Sequence, residues 1–516
     1  MHTIDYLMRL PSSLNPYDAG LYTYGGLSLY LYLFTARLFS WLFHSPVWTD
    51  NKWHVTLIAR GYSAIASTLI IALLYRLSRL AGIRHAAWVP AFAFAVSPLA
   101  VQYAHYGVVD TLLTFWVVLF SVVAVWCWKR QARWGWVMAG FVLGLAIATK
   151  TTGAVWGISL IYATWTRWRE TRDGLASLSI LVFGIIGVGL GVMSGSPYYI
   201  LDWSSFRYVM EMQAGKTVTG RILCTYHWQF LNVRPFLFEV EQLARWAMGT
   251  PLAILGGVGA FGLGFKTIQR RKYLLGIVLL APAAYFAFIG LWHSKFIRYL
   301  LPVIPFVSLC AAWPLEVLVR TNSRVLRWIV TLVIGGALLY SAILGLAVAN
   351  IYTGPDPRIA ASEWMLTNIP PGATILHDPE PLITLPLGAA DRYQIETFDL
   401  YGNRMQNINN PEFYLQHLRG KQYIVIVSRR NYGAVYHLHA LFPVAASFYR
   451  SVFDGCLGFS LVARFTNYPR VGWWTWNTDE AEETFQVFDH PVVYIFQRSI
   501  VSDENARRVW EQCLSR

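Results

Sequence analysis

The sequence predicts a polytopic α-helical membrane protein with a C-terminal α/β domain outside the cytoplasm, and three observations predict it. Hydrophobic residues make up 55% of the 516 and charged residues only 14%, a balance too apolar for a water-soluble chain. Before residue 350 the apolar residues fall in repeated runs, each roughly 20 long, the length at which a helix crosses the ~30 Å hydrocarbon core while satisfying its own backbone. Past residue 355 these runs give way to short alternating segments. Repetition of the runs excludes a signal peptide as their source.

Basic residues collect in cytoplasmic loops, so short basic segments mark every second turn of such a chain. Five occur: RLSRLAGIR (76–84), KRQAR (129–133), RWRETR (167–172), KTIQRRK (266–272) and RTNSRVLR (320–327). They divide the chain into expected spans at 56–77, 86–104, 107–127, 134–150, 153–166, 176–195, 247–265, 274–292, 298–318 and 328–350. The span 153–166 is short, which suits a tilted or partly re-entrant segment. GLSLYLYLFTARLFSWLF (26–43) has tyrosines and an arginine spread through it. That pattern suits a helix lying in the interface, although its length also permits a span. The bundle therefore covers 56–350, with a long outer loop at 197–245, and a soluble α/β domain covers 355–516. In that domain SEWMLTNIPPGATIL reads as a helix, a Pro-Pro-Gly turn and a strand, while KQYIVIV and PVVYIF read as strands. Counting crossings places the domain on the extracytoplasmic face.

A net charge of +14 raises the question of nucleic acid, but in a membrane protein basic residues serve as topological signals, so no nucleic-acid partner is expected. The five cysteines show no CxxC or zinc spacing and imply no disulfide framework. No P-loop or dinucleotide-binding glycine pattern occurs.

Ionisable residues at the ends of apolar helices are the candidates for chemistry. Asp110, in HYGVVDTLLTF, stands where an outer loop enters a helix, with His105 and Tyr106 just before it. It is either a site carboxylate or an N-cap that accepts free backbone N–H groups. Lys150 ends the run GFVLGLAIA and precedes Thr-Thr-Gly at an outer end. A lysine there opposes the positive-inside bias; a bound phosphate would explain it, and so would snorkelling to the membrane edge. His293, Lys295 and Arg298 gather in HSKFIRYLLPVIP, where an anionic ligand or lipid headgroups would suit three potential cations. His105, Asp110 and His293 could together hold a divalent metal, or the histidines could be hydrogen-bonded structural residues. The outer loop mixes aromatics with Asp202, Glu211 and Lys216, and WWTW (473–476) could meet membrane, sugar or its own core.

These pieces resemble the GT-C membrane glycosyltransferases related to protein O-mannosyltransferases and the lipid A aminoarabinose transferase. The matching stretches are SLNPYDAGLYTYGGLSLYLY (13–32), LIARGYSAIASTL (57–69), AHYGVVDTLLTF (104–115), GLAIATKTTG (144–153), SPYYILDWSSF (196–206), RYLLPVIP (298–305), FDGCLGFSLVARFTNYP and FQVFDHPVVYIF. The resemblance implies transfer of a sugar, with inversion, from a polyprenyl-phosphate carrier to a lipid, glycan or protein acceptor in the inner or plasma membrane. Asp110 matches a site acid, and Lys150 and Arg298 match phosphate contacts; His105, His293 and Tyr24 are candidate substrate contacts beside them. Residues 1–55 look like the family's first outer loop with interfacial helices. Relatives carry their principal base at the end of a transmembrane helix preceding the region like residues 2–20, and this sequence has no such helix before it; Asp5 and Asp18 are the nearby acids. Two rival classes share the pattern: a transporter or lipid flippase, whose polar residues would line a permeation path, and a non-catalytic assembly factor.

Overall fold

The computed structural model describes residues 22, 24–222, 225–269, 273–318, 323–378, 392–398, 407–499, 508 and 510. The chain divides into two units, one of Met1–Val218 with Arg234–Val348, the other of Thr219–Val233 with Ala349–Arg516. Asp5 and Asp18 lie outside the described residues.

The first unit is helical. Its main helices are α1 (Gly26–Leu42), α2 (Lys52–Ala81), α3 (Trp88–Val96), α4 (Pro98–His105), α5 (Val109–Arg130), α6 (Gly135–Thr149) and α7 (Gly157–Thr171). There follow α8 (Gly174–Gly195), α9 (Trp203–Gln213), α10 (Thr250–Gln269), α11 (Tyr273–Gly290), α12 (Ile304–Ala311) and α13 (Arg324–Ile351). Among the described residues five of these, α2, α5, α8, α11 and α13, are long and apolar enough to cross a membrane; α6, most of α10 and the region of α12 are shorter apolar helices. The expected span 86–104 is two helices rather than one. Pro98 has no N–H to donate and forces Ser97 into an extended conformation (ψ 124°), so α3 stops and α4 starts with the proline in its first turn. The expected span 153–166 opens as a 3₁₀ turn, Thr151–Trp156, before α7.

Small residues let α6 and α8 pack backbone against backbone, as is common where lipid gives helices no hydrophobic reason to associate. A Cβ on Gly140 would fall 2.0 Å from the Gly184 carbonyl oxygen, and one on Gly187 would fall 2.1 Å from that of Val137. This contact fixes the position of α6, whose last residue precedes Lys150.

The second unit contains helix α14 (Pro357–Asn368) and a five-stranded mixed sheet in the order β2-β1-β3-β7-β4. The strands are β1 (Thr374–Asp378), β2 (Gln394–Thr397), β3 (Tyr423–Ile426), β4 (Phe459–Phe465) and β7 (Val493–Arg498); β5 (Arg470–Val471) and β6 (Trp474–Thr475) form a separate hairpin. Strands β2, β1 and β3 run parallel, with β7 antiparallel to both β3 and β4. Alternation sorts the side chains: Leu376, Ile424 and Phe496 join one core with Tyr414 and Phe448, while Ile375, Val425 and Ile495 join the other with Met365 of α14. Burial on both faces explains why KQYIVIV reads as a continuous apolar run. Trp228, from the segment Thr219–Val233, is buried in the first of these cores against Phe442. Cys456 is disulfide-bonded, whereas Cys127 and Cys310 are free and buried.

Candidate active site

Asp110 lies in the first turn of α5, after Val108 in extended backbone, and its own side chain makes no cap contact with the helix. It is buried and forms an ion pair with Lys150, whose Nζ donates to Oδ1 at 2.7 Å. Lys150 is placed by the end of α6. Its backbone is extended (φ −159°, ψ 128°), and the following Thr-Thr-Gly begins the 3₁₀ turn rather than an open anion cradle. The ammonium lies 4.8 Å from the centre of the Tyr299 ring, an arrangement that partly offsets its loss of water. A buried pair of this kind holds only while both partners are present, because a lone charge in the interior is costly.

Two further groups complete the cluster. Arg298 lies in a short 3₁₀ turn, Ile297–Leu300, next to Tyr299. It is within electrostatic reach of Tyr24, Tyr299, Asp110 and Tyr103, yet among the described residues no carboxylate pairs with it, and its buried Nε has no hydrogen-bond partner. Tyr24 arrives through its neighbour. Gly25 donates its N–H to the Thr149 carbonyl at 3.0 Å, directly before Lys150. A Cβ on Gly25 would overlap the Ala148 carbonyl oxygen at 1.7 Å, so only glycine lets this segment approach so closely. The Gly26 N–H then bonds Ser196 Oγ at 3.1 Å. Four of the six residues singled out in the sequence, Asp110, Lys150, Arg298 and Tyr24, thus come from four separate stretches to one place.

The two histidines are placed otherwise. His105 is exposed, and its Nδ1 pairs with the Val101 carbonyl at 2.8 Å, one turn back in α4. His293 is half-buried and donates its backbone N–H to the Val218 carbonyl. Among the described residues no three His, Cys, Asp or Glu side chains gather in a way that could hold a metal ion, so His105, Asp110 and His293 do not form one. The cation cluster at 293–298 is also smaller than expected. Lys295 is buried in a second ion pair, donating to Glu239 Oε1 at 2.6 Å and to the Gly290 carbonyl at 2.8 Å. Sequence reasoning passed over Glu239; the signal for it was an acid set among the apolar residues of PFLFEVEQL. Tyr299 was missed as well, hidden beside the more conspicuous Arg298.

Asp202 caps the start of α9 through Ser205 and accepts from Tyr22 Oη at 2.6 Å. The Tyr22 hydrogen bond, followed by those of Ser205, holds its carboxyl below the ordinary range. This contact ties the segment before α1 to the loop after α8.

Residues 30–190 match the family described as dolichyl-phosphate-mannose-protein mannosyltransferase. No curated protein sequence matches. The oligosaccharyltransferase of Archaeoglobus fulgidus, tethered to an acceptor peptide, superposes over 96% of this chain and 83% of its own, with a TM-score of 0.53 at 12% identity. The chain has the GT-C membrane fold of that enzyme. The oligosaccharyltransferase AglB from Archaeoglobus fulgidus, in complex with an inhibitory peptide and a dolichol-phosphate, covers 89% of this chain and 67% of its own, with a TM-score of 0.50 at 14% identity. ArnT from Cupriavidus metallidurans bound to undecaprenyl phosphate also matches, over 92% of this chain and 88% of its own at 15% identity, but a TM-score of 0.40 is too low to inform the site. The family match runs from within α1 to most of α8, and so takes in Asp110 and Lys150 but not Arg298.

Proposed function

We propose that this GT-C chain transfers a sugar from a polyprenyl-phosphate carrier to an acceptor hydroxyl at the extracytoplasmic face, inverting the anomeric centre. The observation that carries the reading is a guanidinium, Arg298, held without a carboxylate partner among the described residues, beside the buried Asp110–Lys150 pair. An unneutralised cation in a sheltered site is suited to a phosphate, and the archaeal relative with this fold binds dolichol-phosphate. The disulfide at Cys456 suits an oxidising compartment for the second unit.

In this mechanism the acceptor oxygen attacks the anomeric carbon opposite the phosphate. The new carbon–oxygen bond forms as the bond to the phosphate oxygen breaks, and the acceptor proton passes to a carboxylate. Lys150 is the only hydrogen-bond partner of the Asp110 carboxylate among the described residues, which leaves Oδ2 to receive that proton. General-base help of this kind contributes about 10²- to 10⁴-fold. Arg298 stabilises the charge that grows on the leaving phosphate, with Lys150 shared between carboxylate and phosphate. Tyr24, next to the docked Gly25, lies where it can contact the sugar or phosphate.

Turnover in detergent tests the reading. The purified chain, given a polyprenyl-phosphate sugar and a pool of hydroxyl acceptors, should release polyprenyl phosphate without any second compartment. A flippase would move the lipid across vesicles yet leave the sugar–phosphate bond intact, and that result would overturn the assignment.

A further inference from the structure

The hairpin of β5 and β6 has no part in the site above, and its composition is unusual for a soluble domain. Val471 pairs with Trp474 and Arg470 with Thr475, leaving Gly472 and Trp473 as the two-residue turn. Gly472 has φ +57°, as the first position of a type II′ turn requires, so the turn projects Trp473 at its tip. Trp473 is 99% exposed, and Trp474 and Val471 are about two-fifths exposed, at 40% and 38%. Trp476, by contrast, turns inward onto Phe485. A fully exposed indole beside two further apolar side chains is costly in water and marks an interaction surface.

What covers it follows from where the hairpin is rooted. α13 has 28 residues, about 42 Å at 1.5 Å per residue, which exceeds the ~30 Å core, so a span by α13 carries its ends toward the headgroup layers. The hairpin is fastened to the final residues of that helix, which from Ala349 onward belong to the second unit. Asn350 Nδ2 donates to the Arg470 carbonyl at 3.1 Å, and Asn467 Nδ2 donates to the Ile351 carbonyl at 2.8 Å. Tyr352, the next residue, bonds Asp489 at 2.8 Å. Three residues of strand at about 3.3 Å each keep the tip within about 10 Å of the helix end. An exposed arginine at the base and an apolar tip are the two chemistries that a membrane surface takes up, phosphates outside and acyl boundary inside.

We infer that hairpin 470–475 inserts Trp473, with Trp474 and Val471, into the interfacial layer of the bilayer that α13 crosses, and that Arg470 contacts lipid phosphate. The hairpin is a second membrane contact for the unit that follows the last span. It stands independently of the reaction proposed above.

The test uses the full chain in nanodiscs of phosphatidylcholine and phosphatidylglycerol, with a nitroxide on Trp473→Cys. Oxygen should relax the label well while a water-soluble nickel chelate collides with it several-fold less often than with a label on Leu461→Cys, another exposed site of the same unit. Equal nickel access at the two positions would overturn the inference. So would protection at 473 that arises only when a glycan acceptor is added, which would make the hairpin a carbohydrate platform. Because the Trp473 side chain is fully exposed, its replacement removes no core contact, and matched melting temperatures for the two labelled chains establish that both are folded.

Discussion

At the scale of single residues, the Asp110–Lys150 pair changes how a mutation should be read. Asp110→Asn alone strands a buried ammonium, and Lys150→Met alone strands a carboxylate; each should cost about 3–5 kcal/mol of stability. The double variant Asp110→Asn, Lys150→Met leaves no orphan charge and should recover most of that loss in thermal unfolding and abundance. Turnover should remain lost in the double variant, and this separates chemistry from folding. Full recovery of turnover there would reduce the pair to a structural element. Asp110 and Lys150 were each visible in the sequence, as ionisable residues at the ends of apolar runs. Their partnership was not, because 40 residues separate them and nothing in either run specifies which helix lies beside it. Lys295 shows the same blindness from the other side: it reads as a free cation until Glu239, 56 residues away, is found against it.

At the scale of elements, the close approach of α6 and α8 places Lys150, so its disruption should reach the site. Gly187→Val would put a Cβ 2.1 Å from the Val137 carbonyl oxygen; a branched side chain there should force the helices apart, at a cost of about 1–3 kcal/mol or more. Gly189, two residues on in the same helix, faces open space, and Gly189→Ala should be neutral or slightly stabilising. Melting temperatures of the two variants in one detergent check the pair. Gly25→Ala should act more locally, detaching the segment that carries Tyr24 and lowering turnover more than stability. The apolar runs announced most of the helices, since each must be long and hydrophobic to exist in lipid. Pro98 was present in the expected span 86–104, but the hydrophobic pattern continues across it, so the break between α3 and α4 was concealed. The helix-forming content of residues 26–43 was also legible, and α1 occupies Gly26–Leu42.

At the scale of the whole molecule, lipid and water demand different patterns, long runs in one and alternation in the other, and the sequence carries both. What the patterns could not give was the inclusion of Thr219–Val233 in the second unit, which depends on Trp228 finding a core formed by residues from Leu376 onward. The second unit should also set a pH dependence of stability. Burial pushes the His377 imidazole down to about 4 from 6.5, so the folded state holds it neutral while an unfolded chain takes up a proton. Its contribution is complete above about pH 6.5 and is lost as the pH falls toward 4. Glu483 works in the opposite direction: burial raises its carboxyl, with Arg430 at 2.7 Å opposing the rise, so its contribution is present at low pH and declines toward neutrality. The melting temperature of His377→Asn relative to the parent chain isolates the first term; their difference should shrink between pH 6.5 and 4.5.

The central claim is that Arg298 stabilises a leaving phosphate in a sugar transfer, and single-turnover release of polyprenyl phosphate at saturating donor tests it most directly. Losing one preorganised donor to a developing negative charge typically lowers such a rate by about 10²- to 10³-fold. Arg298→Gln, with a melting temperature close to that of the parent chain, should show a loss of that size. An unchanged release rate in the folded variant, or no release by the parent chain, would contradict the account.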